Sequence, residues 1–203
     1  FYVVGAMKSG TSTLWENLRR HPQIFLPKIK EPNFFVVNAG QFPASFDGLH
    51  CHGDLDKYQS MYQEGRGFPA IGDNSTSYLS DEAVPRRIHE VCPHAKIIII
   101  LRDPVQRAYS QYLMQVTMGL DSRSFLQAVQ EDYALPQKGI WISHLYVELG
   151  LYYEQVRRYI ETFGRDRVLI ILLDELTKDP RSVFKKVARH LGVDPDFYDR
   201  EVA

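Results

Sequence analysis

Cysteine is almost missing from this chain: among 203 residues only Cys51 and Cys92 carry a thiol. Two cysteines cannot make a multi-bridge secreted scaffold, and neither stands in a metal-ligand spacing. The expectation is two free thiols, with a single Cys51–Cys92 bridge as the alternative. Long apolar runs are also lacking. None approaches the roughly 20 residues of a membrane-spanning helix, and no signal-peptide pattern is visible. Nor is there an excess of one charge: 24 basic residues against 25 acidic ones leave a formal net charge of −1. That excludes a generally basic nucleic-acid binder while leaving room for a local basic cleft. Low-complexity linkers and internal repeats are absent, so residues 1–203 are expected to form one domain.

What is present is an alternation of apolar strands and amphipathic helices. Phe1 to Val4 predicts a strand and Thr11 to His21 a helix ended by Pro22. Ile24 to Leu26 predicts a short edge segment. Residues 38–70 suggest a loop-rich excursion on the binding face, weakly helical over Leu55 to Tyr62. GDNSTSYL at 72–79 suggests a turn and Glu82 to Val91 a helix. AKIIIILRDP holds the strongest strand signal, an unbroken apolar run bounded by charge and proline. Asp103 and Pro104 supply a cap and a first-turn proline for a helix to about Met118. Phe125 to Gln130 predicts a short helix, 131–143 an irregular stretch, and Tyr146 to Phe163 a long amphipathic helix. RVLIILLDEL is a second buried strand, followed by a helix from Asp179 and Pro180 to Leu191, closed by Gly192. Such alternation implies an α/β fold: a central, mostly parallel sheet covered by helices on both faces. Ligands of these sheets bind at the carboxyl ends of the strands.

The richest local signal is FYVVGAMKSGTSTLW. A glycine-flanked loop that opens a helix points several backbone N–H groups at one spot, at the positive end of the helix dipole. Gly5 and Gly10 have the spacing of the P-loop pattern GxxxxGK[ST], but Thr11 stands where that pattern needs lysine. The cation lies inside the loop at Lys8. With Ser9, Gly10, Thr11, Ser12 and Thr13 it forms a candidate phosphate site.

A second constellation is LRDPVQRAYSQY. Arg102 ends its strand and offers a forked cation, and Ser110 lies two turns into the next helix with a hydroxyl donor. Two anion sites on neighbouring strand ends suit one ligand with phosphate groups at both ends. A third is KIKEPNFF, where Glu31 lies among Lys28, Lys30, Phe34 and Phe35. A carboxylate beside aromatics and close to a bound anion can serve as general base.

Together these motifs resemble the sulfotransferases that use 3′-phosphoadenosine 5′-phosphosulfate (PAPS). The resemblance is closest to the branch holding the heparan-sulfate enzymes and their bacterial relatives. GAMKSGTSTLW resembles the 5′-phosphosulfate loop, RDPVQRAYSQY the 3′-phosphate motif, and KEPNFF the segment with the catalytic glutamate. GLYYEQVRRYIETFGRDRVLIILLDELTKDP is similar to the family's later helix–strand–turn. The resemblance implies a P-loop-like three-layer fold and sulfuryl transfer to a hydroxyl or amine of a carbohydrate or small-molecule acceptor, without a metal. Adenosine 3′,5′-bisphosphate (PAP) would be the product. It gives Lys8 the developing charge on the leaving phosphate, Ser9 to Thr13 the 5′-phosphate, Arg102 and Ser110 the 3′-phosphate, and Glu31 the acceptor's proton.

Two features depart from that pattern. Where the heparan-sulfate enzymes commonly carry an EKTP-like segment, this chain has GDNSTSY, with Asn74 in the lysine position. The 203 residues also stop just after the last helix, and the glycine- and basic-rich loop that covers the cofactor in the family is not among them. The resemblance implies a cytoplasmic location in a bacterium and the Golgi lumen for a trimmed eukaryotic enzyme; oligomeric state is left open. Two rivals are a P-loop kinase using Asp174 of LIILLDE for metal, and a non-catalytic phosphonucleotide-binding domain. Phe42, Phe46, His50 and His52 of the 38–70 excursion are expected near the acceptor.

Overall fold

The structure, a computed structural model, describes residues 1–36, 53–139 and 143–200. The chain opens with β1 (Tyr2–Gly5), α1 (Thr11–Leu18) and β2 (Ile24–Phe25). From residue 53 on come α2 (Leu55–Ser60), where the weak helical signal lay, β3 (Ala70–Ile71), β4 (Asp73–Asn74), a 3₁₀ turn (Thr76–Leu79) and α3 (Val84–Val91). Then follow β5 (Ile97–Leu101), α4 (Pro104–Thr117), α5 (Phe125–Ala134), α6 (Tyr152–Phe163) and β6 (Val168–Leu172). The chain closes with α7 (Leu173–Lys178), α8 (Pro180–Leu191) and α9 (Phe197–Arg200).

The main sheet has the order β4-β1-β5-β6, all parallel, and β2 pairs with β3 in a second, parallel ribbon. Because β1 pairs with β4 on one side and β5 on the other, the connections out of the sheet diverge at its carboxyl end. That divergence opens a crevice, and the Gly5–Gly10 loop occupies it.

Strand alternation divides the core. Ile98 and Ile100 face a layer containing Leu14, Leu18, Leu176, Val187 and Leu191 from α1, α7 and α8. Ile97 and Ile99 face Tyr78, Leu79, Val84, Ile88, Tyr159 and Phe163 on the opposite side. An apolar run with period-two division is what a parallel strand buried on both faces requires. A small separate core of Ala108, Ala128 and Tyr146 ties α5 to the flank of α4. The caps form as expected: Asp103 accepts from Gln106 N–H (2.9 Å), and Asp179 from Ser182 N–H (3.1 Å). Gly192 ends α8 at φ 80°.

Four expectations are corrected. α1 stops at Leu18 rather than His21, because Pro22 disfavours helical geometry in the residue before it. Its end tightens through short bonds, Arg20 N–H to Asn17 O and His21 N–H to Leu18 O. Residues 72–79 are not simply a turn: Asp73 and Asn74 form β4, in register with Tyr2 and Val3. A buried strand of polar residues gives no apolar signal. The helix expected from Tyr146 starts at Tyr152. Upstream, backbone groups serve side chains instead of a helical ladder, with Asp132 accepting from the N–H groups of His144 and Tyr146, and Arg107 donating to Tyr146 O. α5 runs on to Ala134, four residues beyond the Gln130 end expected from sequence. Cys92 is a free thiol; Cys51, Phe42, Phe46, His50 and His52 lie outside the described residues.

Candidate active site

The loop between β1 and α1 is shaped by backbone. Gly10, the residue before α1, has φ 88°, and a Cβ there would lie 2.6 Å from Leu173 Cδ1. Only glycine meets both demands. The N-terminus of α1 has neither a side-chain cap nor an acidic residue in its first turn. Its free N–H groups and dipole are therefore left for an anion from outside.

Lys8 also adopts a left-handed conformation, φ 65°, and its carbonyl accepts a 3.2 Å bond from Arg102 Nη1. That bond ties the loop after β1 to the end of β5. Its ammonium lies 3.5 Å from Met114 Sδ. Burial, then the charges of Arg102 and Lys30, push the Lys8 pKa below its ordinary value, with Glu31 opposing. Cations that depress one another favour an anion between them.

Arg102 sits where β5 gives way to α4, and its carbonyl accepts from Tyr152 Oη at 3.0 Å. Its Nε is buried with no hydrogen-bond partner among the described residues. An orphaned guanidinium N–H in a cleft wall fits a phosphate oxygen. Ser110, two turns along α4, lines the same cleft.

Glu31 is presented by a strap crossing the end of β4. Its N–H bonds Asn74 O at 2.9 Å and its φ is 62°. One carboxylate oxygen accepts from Lys30 Nζ (2.6 Å) and the other from Thr76 Oγ1 (3.1 Å). Beneath it, Ser75 Oγ accepts from Asn33 N–H (3.1 Å) and donates to Asp73 Oδ1 (2.7 Å). Tyr58 and Tyr78 both donate to Asp73 Oδ2 at 2.9 Å. Burial nevertheless raises the Asp73 pKa to about 6, against the pull of those three donors. Phe34 and Phe35, expected beside the carboxylate, instead anchor the strap. Phe34 stacks on Tyr58 with ring centres 4.4 Å apart, and Phe35 is buried against Tyr2 and Tyr78.

Lys8, Gly10, Thr11, Ser12, Glu31, Arg102 and Ser110 thus line one cleft of about 1200 Å³. This exceeds the roughly 300–1,000 Å³ of a typical single-ligand pocket. Ser9 and Thr13 are not among its lining residues. The Ser9 side chain is buried beneath the loop, beside the Tyr152 hydroxyl, and Thr13 is exposed on α1. Lys28 faces a smaller cavity of about 400 Å³ near β2. Asp174 is exposed in the first turn of α7 and does not line the cleft. Thr76, Gln111 and Met114 are cleft residues that the sequence did not single out. The hydroxyl-rich run NSTS was the available signal for Thr76.

A parallel sheet with a glycine-flanked loop at its switch point, two converging cations and an oriented carboxylate make, in an α/β fold, a site that fits a phosphorylated ligand. Residues 1–202 match the sulfotransferase domain family, and the chain belongs to it. A sulfotransferase from Alicyclobacillus acidocaldarius has a similar structure, with a TM-score of 0.88 and 34% identity, covering 97% of this chain and 81% of that one. The mouse bifunctional heparan sulfate N-deacetylase/N-sulfotransferase 4 is 28% identical over 202 residues, 97% of this chain but 22% of its own length. Mouse sulfotransferase SULT7A1, whose structure is complexed with PAP, shares the fold at a TM-score of 0.57 and 20% identity, covering all of this chain and 63% of that one. The chain spans from about a fifth to about half the length of the curated relatives it matches.

Proposed function

We propose that this protein transfers a sulfuryl group from PAPS to a hydroxyl or amine of a carbohydrate or small-molecule acceptor. The observation that carries this reading is the convergence of Lys8, Arg102 and Glu31 on one cleft with the open N-terminus of α1. The orphaned Arg102 Nε and the uncapped helix fit the two phosphate-bearing ends of such a donor. The relatives support it too: one is named as a heparan sulfate N-sulfotransferase, and another sulfotransferase structure is complexed with PAP.

When bound, the donor supplies an activated sulfuryl group, whose bond to phosphate breaks as the acceptor atom bonds to sulfur. The residues of this chain do the rest. Glu31 takes the proton that the acceptor atom loses. Thr76 and Lys30 hold both carboxylate oxygens, so the base is oriented before the acceptor arrives. Lys8 and the first N–H groups of α1 face the charge that grows on the departing phosphate, as preorganised donors. Arg102 and Ser110 grip the far phosphate and fix the register of the donor. Holding two reactants side by side supplies much of the remaining acceleration.

The test is Lys8→Ala, assayed by mass spectrometry for sulfated product from PAPS with a panel of acceptors. Loss of one such donor should lower turnover by about 10²–10³, with an unchanged circular dichroism spectrum. Near wild-type turnover would remove Lys8 from the mechanism. PAP binding without transfer to any acceptor would make this a nucleotide-binding domain rather than an enzyme.

A further inference from the structure

The cleft has two ends, and α4 runs through both. Ser110, Met114 and Met118 are spaced by four residues, so they share one face of the helix, and all three line the cleft. Ser110 marks the phosphate end. Met114 touches the Lys8 ammonium and therefore borders the reacting centre. Beyond it, past the end of α4, Met118 and Leu120 continue the lining in carbon, and Leu135, Leu145 and Leu149 line the same cleft. Three of these are openly exposed, Met118 by 54%, Leu120 by 61% and Leu135 by 42%. Large apolar side chains left open inside a cleft mark a ligand surface.

The other charges of the lining are already engaged. Arg123 gives Nε and Nη2 to Asp121, at 2.9 and 2.7 Å, and Nη1 to Glu131 at 2.8 Å. Asp132 accepts from the N–H groups of His144 (2.6 Å) and Tyr146 (3.3 Å). Lys30, nearer the centre, holds Glu31. Among the described residues the lining beyond Lys8 and Arg102 therefore offers an anionic acceptor no uncommitted cation, the His144 ring lying 3.8 Å from Asp121, while Glu131 and Asp132 line the cleft with negative charge. The C-terminus of α4, the negative end of its dipole, points the same way. One polar group is left open: Gln115 Oε1 is buried in the lining without a hydrogen-bond partner among the described residues.

We infer that the acceptor is an uncharged alcohol or phenol with an apolar body, which lies along Met114, Met118 and Leu120 with its hydroxyl at Glu31. This rests on the transferase reading above and narrows it. In the step, the acceptor oxygen bonds to sulfur, its proton passes to Glu31, and the sulfur–oxygen bond to the donor's phosphate breaks with its electron pair leaving on PAP. Polarisable methionine side chains suit an aromatic or aliphatic body of variable shape.

The experiment compares 2-naphthol, n-decanol, glucose and N-desulfated heparan sulfate as acceptors with PAPS, alongside calorimetric binding of PAP. The expected result is kcat/KM at least tenfold higher for 2-naphthol or n-decanol than for the polysaccharide or glucose. The double variant Met118→Glu, Leu120→Glu should raise KM for the apolar acceptors at least tenfold while PAP affinity stays within twofold. With PAP bound normally, faster turnover of the polysaccharide or glucose overturns the inference. Turnover of neither apolar alcohol, or an unchanged KM in the double variant, does so too. Failure of the wild type to bind PAP would instead bring down the transferase reading, and this inference with it.

Discussion

The two ends of the cleft are built in opposite ways. At the end held by the Gly5–Gly10 loop, the lining comes from backbone that short sequence motifs shape: a glycine at φ 88°, an uncapped helix, and an arginine where a strand stops. Elsewhere along it, polar side chains are spent on one another and carbon is left exposed. Arg107, behind the cleft, is fully buried, donates to Gln111 Oε1 at 2.6 Å and to Tyr146 O, and holds the 143–146 segment against α4, its Nε having no hydrogen-bond partner among the described residues. The lesson is that charge near a cleft says little until its partners are known. Arg102, with a buried nitrogen unpaired, and Arg123, with three nitrogens engaged, are both arginines of one lining.

The largest expected effect sits between the two ends. Glu31→Gln should keep PAP affinity and slow transfer by about 10²–10⁴, the range for a lost general base. The acid limb of the pH–rate profile should disappear with it, and survival of that limb in the mutant would move the base elsewhere. Arg102→Ala should act on binding, because in the proposed reading it holds the phosphate remote from the transferred sulfur. Losing a charged hydrogen-bond partner costs about 1.5–3 kcal/mol, roughly ten- to a hundredfold in PAP affinity. Comparing PAP with adenosine 5′-phosphate by calorimetry checks it: the mutant should lose the preference for the 3′-phosphate.

Thr76→Val should cost less, about two- to tenfold in turnover, because one bond is lost while Lys30 still holds the carboxylate. Thr76→Ser should restore it. In a Glu31→Gln background the valine should cost nothing further, and additive losses would show that Thr76 does not act through the base. The smallest effect concerns stability. The Asp73 carboxyl titrates near 6 in the fold instead of at its ordinary 3.8, with burial as the main cause. Between about pH 4 and 6 the folded state therefore holds a proton that the unfolded chain has released, and stability falls as pH rises through that window. Urea unfolding across pH 4–7 should show this slope in the wild type and a flatter one in Asp73→Asn.

Much of the fold was legible because its signals are local. The IIIIL run of β5, the Asp-Pro starts of α4 and α8, and the Gly192 stop each act within a few residues. The same holds for the loop carrying Lys8. Polar tertiary pairing was not legible. β4 gave no strand signal because its two residues are polar, and they are tolerated inside only because Ser75, Tyr58 and Tyr78 satisfy Asp73 while Asn74 donates to Thr11 O at 3.1 Å. Thr76 was missed for a related reason: it lies 45 residues from the carboxylate it holds.

The sequence by itself therefore determined the parallel sheet, the glycine-flanked loop and the two cations that line the cleft, since backbone geometry and strand ends are encoded nearby in the chain. It also named Glu31 without saying what held it. Only the tertiary structure decided that Ser9 is buried beneath the loop and that Phe34 and Phe35 anchor the strap rather than wall the carboxylate. Only there, too, do Met114 and Met118 fall in line with Ser110 and become a wall of the cleft. The physical reason is that a side chain's role depends on which partners reach it, and partners distant in sequence meet only when the sheet brings its strand ends together.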